Sequence, residues 1–90
     1  MKNNDYQIRS DERFYDEVLH FESNSFRIIT EYLNTLDMEA HFIDGDFLYK
    51  KKNSTIMVCG HEGNPGRILL LNVDEKVRKS LEEKTGERIH

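Results

Sequence analysis

The sequence predicts an α+β fold: an antiparallel meander of about four strands, flanked by a long or broken N-terminal helix and a short C-terminal helix. Asp44-Gly45 stands between two runs of alternating apolar and polar residues, and this dipeptide favours a two-residue hairpin turn. Asn64-Pro65-Gly66 punctuates the chain again, just ahead of a second apolar run. Before and after the block 38–73, apolar residues recur at helical spacing.

Residues 1–9 are polar and read as a flexible N-terminus, and residues 10–90 read as a single domain. Ser10 is a candidate N-cap, with Asp11 and Glu12 in the first turn where the helix dipole favours negative charge. Phe14, Val18, Phe21, Ile29, Tyr32, Leu33 and Leu36 then cover one broad face of a helix from Asp11 to Leu36. Ser23-Asn24-Ser25, three poor helix formers in a row, predicts a break or bend there, with Ser25 capping the second half.

Strand one is expected over 38–43 and strand two over 46–52. A two-residue turn sets Ile43 opposite Asp46, Phe42 opposite Phe47, His41 opposite Leu48, Ala40 opposite Tyr49 and Glu39 opposite Lys50. Turn chemistry and side-chain pairing agree in this register, which yields an aromatic pair and an ion pair. Strand three is expected over 55–59. Strand four, 67–73, contains Ile68-Leu69-Leu70-Leu71 and so is apolar on both faces. Such a strand belongs in the middle of a sheet or in a dimer interface, because as a bare edge it invites aggregation. The last helix starts near Asp74, capped by Asn72 or Asp74, with Asn72 and Glu75 at capping-box spacing, Val77 and Leu81 as its apolar stripe and Gly86 as its stop. Ile89 is placed to fold back onto the domain.

The 90 residues carry a net charge of −4. This balance disfavours non-specific attraction to a nucleic-acid backbone or an anionic membrane and suits a basic partner. One cysteine, Cys59, allows no internal disulfide, and the polar start of the chain lacks the apolar stretch of a secretory signal. With no apolar run of the roughly 20 residues needed to span a bilayer, the expected location is cytoplasmic.

Three constellations can carry chemistry. Cys59, His61 and Glu62 combine a thiol, an imidazole and a carboxylate on a strand end and the following loop, with His41 or Asp44 as a further metal ligand from the first hairpin. Catalytic zinc needs three protein ligands and a nucleophilic cysteine needs a lowered pKa, so the bland alternative is a structural thiol beside a polar loop. The loop 60–66 is glycine-rich but leads into a strand, not into the helix N-terminus that cradles phosphate. Asp44 and Asp46 are accounted for by the turn.

Lys50-Lys51-Lys52 is the one basic run, and alternation sends Lys51 to the opposite face from its neighbours. Lys50, Lys52, Arg67, Arg78 and Lys79 are the residues a nucleic-acid-binding surface would use. The order of helix, three or four strands and helix resembles the double-stranded-RNA-binding domain in topology. Those domains carry a basic start to the final helix, whereas this helix begins Asp74-Glu75 with Lys76, Arg78 and Lys79 behind.

The leading expectation is a small non-enzymatic binding or regulatory module without a cofactor, acting through protein–protein contact. Its candidate contacts are Asp16 and Glu17 on an acidic helix face, together with His61, Glu62, Asn64 and Arg67 around the loop. A homodimer through residues 67–73 is the associated expectation. The runner-up is the nucleic-acid-binding domain, and the third reading is a metal- or cysteine-dependent enzyme centred on Cys59 and His61.

Overall fold

The structure is a computed structural model that describes residues 11–86. The expectations for residues 1–9, Ser10 and Ile89 lie outside the described residues. The described chain opens with a 3₁₀ turn, Glu12–Phe14, in which the Asp11 carboxylate accepts the Arg13 N–H at 3.0 Å. The elements β1 (Glu17–Phe21), α1 (Phe26–Leu33), β2 (Glu39–Ile43), β3 (Asp46–Lys51), β4 (Ser54–Cys59), β5 (Gly66–Leu71) and α2 (Glu75–Thr85) follow. The five strands form one antiparallel sheet in the order β1-β5-β4-β3-β2.

The N-terminal segment corrects the expectation of a helix from Asp11. Residues 17–21 are a strand paired with β5, from Glu17 opposite Leu70 to Phe21 opposite Gly66. Val18 and Phe21 fit a helical stripe, but Leu19 and Phe21 also alternate, and both are buried against the helices. The free edge of an apolar central strand decides between the two periods, because its backbone groups need partners. Ser23-Asn24-Ser25 is the break, and Ser25 holds the N-cap position of α1 without a side-chain cap bond. The acidic helix face therefore does not form.

The first hairpin has the expected register at all five pairs. Positive φ at both turn residues, 49° for Asp44 and 89° for Gly45, is the type I′ geometry that matches strand twist. The apolar strand, β5, is central: β1 and β4 pair with it on either side, and Ile68, Leu69 and Leu70 are buried. Both of its edges are thus occupied within the chain, so it offers no edge for a dimer. Gly66 is required where β4 and β5 meet: a Cβ there would collide with the Cys59 carbonyl and come within 2.7 Å of the Phe21 ring.

α1 and α2 cover one face of the sheet. Phe26, Ile29 and Leu33 of α1 and Leu81 of α2 pack on Leu19, Phe21, Tyr49, Ile56, Val58, Ile68 and Leu70. Lys84 of α2 lies over the Tyr32 ring at 4.5 Å, a cation–π tie between the helices. On the opposite face, Leu48, Met57 and Leu69 form a smaller buried row with Tyr15, Val18, Ile43 and Cys59 around it. α2 ends at Gly86, φ 80°, as expected. Of the two expected caps, Asp74 holds the N-cap position, without a side-chain cap bond, while the Asn72 amide donates to the Asn53 carbonyl at 3.1 Å.

Candidate functional site

The antiparallel ladders sort the chemistry-bearing residues to two ends of the sheet. The Asp44-Gly45 turn, the loop 60–65, the end of β1 and the start of α1 gather at one end. Asp16, Asn72, the turn at Lys52 and the start of α2 gather at the other. A five-residue strand separates these ends by about 15 Å. The six expected contact residues consequently do not share one surface.

Asp16 and Glu17 have internal partners. The Asp16 carboxylate accepts the Asn72 N–H at 2.8 Å, and its own N–H donates to the Leu70 carbonyl at 2.7 Å. Glu17 lies 3.7 Å from Arg78. At the other end Glu62 pairs with Arg27 of α1, tying the loop to the helix, and the Asn64 N–H closes a turn on the His61 carbonyl at 3.0 Å. The exposed His61 ring stands beside Gly45, where a Cβ would lie 3.6 Å from its Cε1. Arg67 reaches Glu12 at 2.9 Å on the face opposite the helices.

Cys59 and Asp46 face one another next to the Phe47–Val58 pair. Burial, reinforced by the Asp46 carboxylate as charge and hydrogen-bond partner, pushes the Cys59 thiol up to about 11. At neutral pH it is a protonated donor, the opposite of an activated nucleophile. Among the described residues no three His, Cys, Asp or Glu side chains gather closely enough to hold a metal ion.

The five cations of the nucleic-acid reading are spread over the molecule. Lys50 is on the face opposite the helices, and Lys52 sits in a turn with φ 57°. Arg67 is engaged as above, Arg78 bonds Glu82 at 3.2 Å, and Lys79 pairs with Glu75 at 3.2 Å. A half-open cleft of about 310 Å³ lies where the C-terminal side of α1 meets the start of α2, floored by Leu36, Met38, Ile56, Val73 and Val77 and rimmed by Lys51, Ser54, Asn72 and Asp74.

The most open structural surface is β2. All its residues but Ile43 are exposed, and on its outer side it has no strand partner among the described residues. Phe42 is 66% exposed. It ends a run of rings that starts in the core: Phe21 to Phe26 at 6.2 Å, Phe26 to Phe47 at 5.8 Å, and Phe47 to Phe42 at 5.0 Å. At the other edge of the sheet β1 is half covered, with α2 against it and Glu17 held by Arg78. Sequence reasoning placed β2 and its register but missed its exposure, since nothing local distinguishes an edge strand from an inner one.

Compared with known protein families, curated proteins and solved structures, the chain matches none.

Proposed function

We propose that this protein is a small non-enzymatic binding module, regulatory in role, that works through protein–protein contact in the cytoplasm. The supporting observation is the open edge strand β2 with Phe42 standing from it. An unpaired edge offers main-chain donors and acceptors to an incoming strand, and an exposed aromatic beside it supplies apolar contact. The protonated Cys59 thiol and the dispersed cations offer neither of the competing readings an assembled site. No helix among the described residues is long and apolar enough to cross a membrane.

The test replaces Phe42 with a photoreactive phenylalanine analogue in cells that make the protein. Irradiation is expected to join position 42 to a polypeptide. Adducts to RNA or DNA alone, or none to any polypeptide, would overturn the reading.

A further inference from the structure

We infer that β2 pairs antiparallel with β2 of a second copy of this chain, in the register centred on Ala40, so that two five-stranded sheets become one. This rests on the protein-contact reading and names the partner.

The hairpin fixes which backbone groups are open. In a two-residue turn the flanking residues, Ile43 and Asp46, exchange both hydrogen bonds, and pairs alternate from there. Glu39, His41 and Ile43 therefore direct their N–H and C=O groups to β3, while Ala40 and Phe42 direct theirs to the free edge. β2 contains no proline or lysine, and its one-to-one register with β3 contains no bulge, so these three edge protections are absent from the strand.

A symmetric antiparallel pair must set outward residues opposite outward residues, which leaves few registers. Centred on Glu39, two carboxylates face each other. Centred on His41, the two imidazoles meet and Glu39 stands opposite Ile43 of the second copy. Centred on Phe42, the strand runs into the Asp44-Gly45 turn. Centred on Ala40, Glu39 lies opposite His41 of the second copy and Met38 lies opposite its Phe42, each pair occurring twice. Met38, Ala40 and Phe42 share the helix-covered side, and Glu39 and His41 share the other, so opposed residues also meet on the same face. Glu39 already stands opposite Lys50 and 3.8 Å from His41 within its own chain. Pairing places this carboxylate between Lys50 and an imidazole of the second copy, and brings Phe42 against the Met38 thioether.

Two single-cysteine proteins in a Cys59→Ser background test the register: one with Glu39→Cys, the other with His41→Cys. These positions form a non-hydrogen-bonded pair with Cα atoms about 4.5 Å apart, close enough for a disulfide. Mild oxidation of the mixture is expected to give a covalent dimer joining the two variants, with far less from either alone. A mixture no more reactive than the separate proteins, or preferential dimerisation of the His41→Cys protein by itself, overturns it. Sedimentation velocity of the otherwise unaltered chain is expected to show a monomer–dimer equilibrium. His41→Glu, a change at an exposed position that is expected to leave the monomer fold intact, is expected to weaken that equilibrium about tenfold, and His41→Lys to preserve it. A wild type that remains monomeric at all concentrations also overturns the inference. If position 42 then photolabels a different polypeptide, the protein-contact reading stands without it; if it labels none, both fall.

Discussion

Single residues that read as chemistry on paper are mostly structural here. Asp16 closes the junction between β1 and the segment after β5 by accepting the Asn72 N–H, at a position where Asn72 adopts φ 54°. Asp16→Ala should lower stability by about 1 kcal/mol, measured by urea denaturation, because it removes the acceptor of the Asn72 N–H. Cys59 stays protonated through burial and its Asp46 neighbour, with a pKa of about 11 against an ordinary value of 9.0. Its thiolate fraction at neutral pH is therefore roughly a hundredfold below that of an unperturbed thiol, and labelling by a thiol reagent should be slowed accordingly. A raised folded-state pKa means that the native chain holds this proton longer than the unfolded chain. The contribution is fully present below about pH 9, and it is lost as pH climbs through 11. Stability measured from pH 8 to 11 should fall more steeply in the wild type than in Cys59→Ser, a comparison that removes the burial-raised Tyr49 as a common background.

Helix α1 is short, at eight residues, and lacks a side-chain cap, so its own propensity contributes little. Packing holds it, through Phe26, Ile29 and Leu33 on the sheet. Leu33→Ala should cost about 2–5 kcal/mol in thermal or chemical denaturation, since it opens a cavity at a fully buried position. The segment that precedes it shows where local pattern fails. Glu17–Phe21 carries the helical stripe that predicted a helix, but β5 needs a second partner along its length and takes the segment as a strand. The hairpin of β2 and β3 is the opposite case. Asp44-Gly45 fixes a tight turn, and the two-residue side-chain period then admits one register that keeps Tyr49 in the core.

Across the whole molecule, the strand order sends the chain from β1 at one edge to β2 at the other, with α1 as the crossing element. Among the described residues the result is one half-covered edge and one open edge, and the open edge carries Phe42. Phe42→Ser should leave the monomer's stability within about 1 kcal/mol, as expected for an exposed side chain. It should also reduce self-association measured by sedimentation, whereas a fall in stability of several kcal/mol would place Phe42 in the core instead.

The sequence by itself determined the mixed helix–strand class, the Asp44-Gly45 turn with its five-pair register, the two apolar faces of strand 67–73 and the stop at Gly86, because each rests on a turn residue or a short side-chain period. It also parted Lys51 from Lys50, whereas Lys52, expected on the face of Lys50, lies in the turn after β3. Only the tertiary structure decided that residues 17–21 are a strand, that Asp16 and Glu17 lie about 15 Å from the loop around His61, and that β2 is the exposed edge. Those outcomes depend on which strands become neighbours. Strand order depends on pairing β5 along both edges while one face of the sheet packs under two helices, a condition on the whole sheet that no window of residues contains.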